Sequence, residues 1–277
     1  MTKIGAVDFV EDGARWRIGT RACDGFMPFT ENRAWFNVGG IRAFPEGRAP
    51  WTRSAALGGR WGLVDDIGRV LIEPRYDGAH SFEDGRAWAN LGGAMHATHG
   101  WDTYSCRGGL WALVDRDGRE RVSPTFTSVG AFTGGVAWAR LGQWGLVDLD
   151  GAWLISPRFD DTPWRSRTSP AFVDGVEPVA IGTRWGLIDR TGEWRVPPRF
   201  DHVYDLREGV ARVAMWLDDP EEWEQTARSG LFGFVAASGR VLHEPAFSDA
   251  TDFRDGRAKV TLNGRSAEID RDGALHF

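Results

Sequence analysis

Short runs in which apolar and polar residues alternate recur along most of the chain, each broken by glycine or proline. Residues 61–65 (WGLVD) and 69–73 (RVLIE) form one such pair, joined by a glycine turn. Period-two alternation marks half-buried strands, and two such runs around a tight glycine turn predict a hairpin. Asp117-Gly118, Asp150-Gly151 and Asp272-Gly273 supply the turn chemistry in other copies. The prolines at 74, 124, 157, 198 and 245 are expected to stop the second strand, since proline cannot donate to a ladder. A Phe-x-x-Gly segment follows, and then another alternating run such as RAWANLGG at 86–93. Each unit is therefore predicted to be an antiparallel meander of about three strands.

The pattern repeats from Trp61, Trp111, Trp144, Trp185 and Phe232, with a truncated sixth copy in RSAEIDRDGALHF at 265–277. Self-similarity at a fixed period is the signature of a repeat architecture. The Trp that opens each copy is expected to wedge between neighbouring units. Burying one removes roughly 150–250 Å² from water, worth at most about 4–6 kcal/mol. The following Gly lets backbone approach closely, and Phe82, Phe132, Phe172 and Phe253 are expected to share the packing. Asp65, Asp115, Asp148 and Asp189 recur in nearly every copy, which fits a turn-capping role better than a unique active site.

These residues resemble the WG (KWG) β-repeat family of bacteria, in which aromatic-Gly-hydrophobic-hydrophobic-Asp precedes Pro-x-aromatic-Asp. The likeness covers roughly 44–277, with departures at Ala112, Phe232, Ala236 and Ser266-Ala267. It implies an all-β array of tandem repeats and transfers no catalytic residues. The whole chain, 1–277, is expected to be a single repeat domain. Residues 1–59 form degenerate units or a cap, echoing the marker segment at Phe9, Phe29 and Phe44, and 60–277 hold the repeats. Units that cannot bury their faces alone must stack. A propeller-like ring of six or seven units, closed by pairing the termini, is favoured slightly over an open β-solenoid.

Composition narrows the function. Of 277 residues 42% are hydrophobic, and 36 glycines and 15 tryptophans fit turn-rich aromatic strands. A formal charge of −6 argues against a nucleic-acid partner, which needs a basic surface. No run approaches the roughly 20 apolar residues of a membrane span, and the first twenty residues lack a secretory pattern, so a cytoplasmic protein is expected. Cys23 and Cys106 read as two reduced thiols, with one disulfide as the alternative.

Three inserts interrupt the repeat and are expected to emerge from the hairpins that link units. The first, 94–109, holds His96, His99, Trp101, Asp102 and Cys106, a weak metal candidate and more simply a polar loop. The second holds Trp164, Arg165 and Arg167. The third, 217–229, carries Asp218, Asp219, Glu221, Glu222 and Trp223, which reads as an anchor and a steering charge for a basic protein surface. No GxSxG, HExxH or P-loop pattern is present. The expectation is a non-catalytic protein-binding scaffold without cofactor, in its sharper form an immunity protein that neutralises a toxin, a context in which the resembling family occurs. A glycan- or small-ligand-binding module using Trp101, Trp164 or Trp223 is the alternative. An enzyme with a site around His96, His99 and Asp102 comes third.

Overall fold

A computed structural model describes residues 3–4, 7–10, 15–18, 21–27, 29–42, 56–97, 104–162, 172–217 and 230–277. Among them are seven small antiparallel sheets, numbered I to VII in chain order. Sheet III shows the plan. A two-residue strand a (Gly78–Ala79) is followed by strand b (Arg86–Ala97), strand c (Tyr104–Asp115) and strand d (Glu120–Phe126), in that spatial order. Strand c carries the aromatic-Gly motif and strand d the Pro-x-aromatic motif. The unit thus has four strands where three were expected. Sheet V keeps three (Val176–Ile181, Arg184–Asp189, Trp194–Phe200), and an isolated bridge from Asp161 to Ala180 stands where strand a would be.

Sheets and sequence repeats are out of phase. Residues 61–76 form strands c and d of sheet II, whereas 78–93 supply strand a and most of strand b of sheet III. Every full repeat is thereby stitched across two sheets. The strands at 3–23 pair among themselves, as do those at 249–276, so the pairing expected between the two termini is not part of the described sheets.

The prolines lie inside strand d instead of ending it: Pro74 in Val70–Tyr76, Pro124 in Glu120–Phe126, Pro245 in Val241–Phe247. Strand d is an edge strand, where a missing donor costs nothing. Its register also jumps there, from Leu63↔Ile72 to Trp61↔Tyr76, so two extra residues bulge at the proline. Gly62, Gly186 and Gly233 of the motif face that bulge, whereas sheet III has Ala112 at the same position. A Cβ on Gly62 would lie 2.6 Å from the Ile72 carbonyl oxygen, and one on Gly233 would lie 2.5 Å from that of His243.

The recurrent Asp is a turn cap. Asp115 Oδ1 accepts the N–H groups of Asp117 and Arg119, both at 2.9 Å, and Asp65, Asp148, Asp189 and Asp270 repeat the arrangement. The Asp of Pro-x-aromatic-Asp caps the other hairpin: Asp77 accepts from Gly92 N–H at 2.7 Å and Asp160 from Gly182 N–H at 2.7 Å. The Phe-x-x-Gly turn has two left-handed residues, for example Asp84 and Gly85. Its acid reaches the same turn of the next sheet, as Asp84 does to Gly135 N–H and Glu208 to the N–H groups of Asp255 and Gly256.

The chain divides into two compact units, residues 1–154 and 155–277, with the division inside strand d of sheet IV (Trp153–Phe159). In the first unit Trp61, Trp111 and Trp144 are buried as expected. A second indole series shares that interior. Trp35, Trp88 and Trp138 occupy strand b opposite Leu63, Leu113 and Leu146 of strand c, and are 1% exposed or less. Trp35 stacks on Phe82 at 6.2 Å and Trp88 on Phe132 at 5.3 Å, so each indole meets the marker Phe of the following sheet. Their ring N–H groups donate to the carbonyls of His80 and Gly130. In the second unit the same strand-b position, opposite Leu187, Phe234 and Glu268, holds Pro178, Arg212 and Lys259. Phe172, Leu206 and Phe253 are still buried there.

Candidate interaction surface

Most residues singled out for recognition lie outside the described residues: His99, Trp101, Asp102, Trp164, Arg165, Asp218, Asp219, Glu221, Glu222 and Trp223. His96 is placed only by its backbone, in strand b of sheet III opposite Ser105. The structure does locate the roots of the inserts. Residues 98–103 and 218–229 leave from the hairpin between strands b and c, and so do 43–55. Residues 163–171 do not. They fall between the Asp161 bridge and the marker turn at Val173–Gly175, which corrects the expectation that all inserts leave from one kind of hairpin.

That hairpin end is also where apolar side chains meet water. In the first unit Val38, Leu91, Leu110 and Leu141 are 36–48% exposed at equivalent ends of sheets II, III and IV. In the second, Ile181 and Leu217 are exposed in the same way. Sheets II and III extend past this end as longer arms. Gly39 and Gly92 take the left-handed conformation of the turn glycines Gly142 and Gly182, yet the chain continues outward. Gly58-Gly59 and Gly108-Gly109 face them, and a Cβ on Gly109 would collide with Asn90 Oδ1 and the Leu91 carbonyl. Asn37 and Asn90 are fully buried at these crossings and donate to the carbonyls of Gly58 and Gly108.

Sheet VI differs from the others at this end. Its strands are His202–Val203, Val210–Trp216, Gly230–Ala236 and Val241–Phe247. Trp185 of sheet V is half-buried, as are His202, Tyr204, Met215, Trp216 and Phe232, although Trp61, Trp111 and Trp144 are buried in the first unit. The rings form a continuous series: Trp185 to His202 at 5.7 Å, His202 to Tyr204 at 4.5 Å, Tyr204 to Phe232 at 6.4 Å, Phe232 to Trp216 at 6.3 Å. Arg212 has its guanidinium 4.0 Å over Tyr204 and 5.3 Å from Phe232, and it donates to the Ala250 carbonyl at 2.6 Å. Asp252 lies 3.1 Å from its Nε. Arg184 pairs with Asp201 at 2.7 Å, and Asp201 also caps Trp216 N–H. Burial and the charge of Arg212 lower the pKa of His202, which favours its neutral form. No sequence motif marks this series. The signal that was there is the replacement of the opening Trp by Phe232 beside an insert.

Three further titratable groups are held neutral. Burial pushes the Tyr76 hydroxyl up to about 12 and the Cys106 thiol up to about 11, and brings His80 down to about 4. Each acts as packing: Tyr76 donates to Glu120 at 2.5 Å, and His80 lies 4.5 Å from Trp111. Neither cysteine is in a disulfide. A polar depression of about 360 Å³ lined by Asp84, Arg86, Asp115, Arg116 and Asp117 is built from the turn interlocks. Its arginines are already engaged, Arg86 by the Leu149 carbonyl and Asp150, and Arg116 by Glu31. Among the described residues no group of three or more His, Cys, Asp or Glu is placed to hold a metal ion. No helix of the described residues is long and apolar enough to cross a membrane.

The chain matches the family model described as WG containing repeat at residues 61–93, 111–143, 144–165, 185–215 and 232–265. No curated protein matches it.

Proposed function

The chain belongs to the WG containing repeat family, and on that basis we propose that it is a non-catalytic scaffold that binds another protein. The observation that carries this reading is the b–c hairpin end. In the first unit apolar side chains stay exposed there in sheets II, III and IV, and residues 43–55 and 98–103 start from it; in the second unit residues 218–229 start from the same hairpin. Apolar anchors and irregular loops on a rigid frame are the usual make-up of a recognition surface. The acids of 218–229 favour a basic partner. In its sharper form the protein is a cytoplasmic immunity protein whose partner is a toxin encoded beside it. The propeller-like ring remains the proposed form of the array, with an open solenoid as its rival.

Co-purification with the product of the adjacent gene, and protection of cells that express that product, test the sharper form. Neither binding nor protection removes the immunity assignment. A glycan-binding role is the second reading, favoured by the half-buried rings of sheets V and VI. Retention on a glycan array, lost in Trp185→Ala and Trp216→Ala, would establish it in place of the first.

A further inference from the structure

We infer that strand c of sheet III, over residues 104–110, takes an added β-strand from the partner protein: an extended segment in which apolar and acidic residues alternate. This rests on the protein-binding reading and gives it a place and a chemistry. Strand c last meets strand d at Trp111↔Phe126, and strand b last meets strand a at Asn90↔Gly78. Beyond those pairs, residues 93–97 and 104–108 pair only with each other among the described residues. The arm is therefore a two-stranded ribbon about 16 Å long, with a row of N–H and C=O groups outside any ladder along each side. On the strand-b side the root is covered, since Asp77 accepts from Gly92 N–H and pairs with Arg60. On the strand-c side the ladder is open, and a strand laid there would prolong the line of strand d past Phe126. Proteins guard such edges with charge or proline. Residues 104–110 hold no proline and one charge, Arg107.

Side chains at the root of the arm select the segment. Leu91 and Leu110 stand directly opposite each other, 43% and 39% exposed, and Leu141 of sheet IV is 48% exposed at the equivalent hairpin. Arg107 and Arg140 are exposed in the same two hairpins. Arg140 donates to the Gly142 carbonyl, and neither arginine is paired with a carboxylate among the described residues. Residues 90–97, 104–111 and 139–144 contain no acid, and Thr127 stands where the preceding repeat has its capping Asp77. An extended chain supplies the backbone partners that the edge lacks. Its side chains point alternately to opposite faces, so one set can cover leucines while the other meets cations. A second copy of this chain would instead set its own Arg107 against these arginines, and like charges across strands repel. The acids of 218–229, which favour a basic partner, belong to the second unit, so the two units ask for opposite charges in different parts of the partner.

The test uses the full chain and three labelled octapeptides, read by fluorescence anisotropy: alternating Leu and Glu, alternating Leu and Lys, and the Leu-Glu peptide N-methylated at every amide. The Leu-Glu peptide is expected to bind and the Leu-Lys peptide not. N-methylation removes the ladder donors and leaves the side chains, and it should weaken binding about tenfold or more. Arg107→Glu and Leu110→Asp should each weaken it to a similar degree, whereas Arg107→Lys should keep most of it. Arg119→Glu, at the opposite end of sheet III and 73% exposed, should keep all of it. Circular dichroism confirms that each variant is folded. Equal binding by the N-methylated or the Leu-Lys peptide would overturn the inference, because no ladder or no charge match would then be involved. So would equal binding by folded Arg107→Glu and wild-type chains, or absence of any octapeptide binding. A dimer of the free chain that the Leu-Glu peptide dissociates would assign the edge to a second copy instead. A neighbour-encoded protein that binds Arg107→Glu and Leu110→Asp as it binds wild type would overturn the site and leave the scaffold reading intact.

Discussion

The two compact units share one backbone plan and differ in what fills it. In residues 1–154 the strand-b position opposite the motif leucine is Trp35, Trp88 and Trp138, each packed out of sight of water. In residues 155–277 it is Pro178, Arg212 and Lys259. Turn caps, marker residues and the strand-d bulge persist in both. The frame therefore depends on backbone groups held by acids and on glycines at close approaches, and it tolerates exchange of its largest side chain. Where the indole is absent at sheet VI, a guanidinium takes its place and the surrounding rings come partly into the open.

That contrast can be broken most forcefully at the indole itself. Trp88→Ala should cost about 3–5 kcal/mol, as removal of a large buried aromatic does, seen as a lower urea midpoint. Arg212→Ala should cost clearly less, and an equal loss would mean that the two fillings bear the same load. The shared frame predicts the reverse symmetry. Gly62→Ala in the first unit and Gly186→Ala in the second should each cost about 1–3 kcal/mol through collision with the strand-d backbone. Similar shifts in midpoint are expected; Ala112 holds this position beside the same register jump in sheet III, so unequal shifts would show that the bulges close to different degrees and not that one is missing.

The turn cap gives a smaller, two-way test. Asp115→Ala should lose about 1 kcal/mol, the usual size of a carboxylate cap. Ala236 lacks that carboxylate, and the nearest substitute is Ser238 Oγ, 3.4 Å from Arg240 N–H. Ala236→Asp should therefore raise stability by a similar amount in thermal unfolding. Acid should act gently on both units. Hydrogen bonds from Arg271 and from backbone N–H groups lower the pKa of Glu208, His276 and backbone donors lower that of Asp270, and Arg121 lowers that of Asp150. A carboxylate whose pKa is depressed by folding contributes stability above its unfolded value, near 4, that is lost as pH falls through the folded one. Glu208→Gln should therefore lower stability slightly at neutral pH and flatten the acid limb, so that variant and parent converge as pH falls below the folded value of the carboxylate.

Much of this was legible in the residues. The Trp-Gly and Pro-x-aromatic-Asp motifs announce strands c and d, and recurrence of Asp65 and its counterparts identifies a cap because every hairpin needs one. The second indole series was legible too, since Trp35, Trp88 and Trp138 each stand six residues after a marker Phe, but only register shows that they share a face. Strand a was invisible: two residues cannot show periodicity. The prolines misled because their meaning depends on whether a strand lies at an edge, which is a property of the sheet and not of the segment. The half-open rings were hidden for a similar reason. Nothing in Trp185 itself tells it apart from Trp61.

The offset between repeat and sheet governs where this chain can be divided. A fragment that begins at Trp61 or Trp111 inherits strands c and d without their partners a and b, and so presents a raw ladder of unpaired amides. A cut at Asp77 or Thr127 leaves intact sheets on either side. Durable pieces from limited digestion or from shuffled genes should therefore start after the proline motif, half a period away from the boundaries that sequence similarity draws.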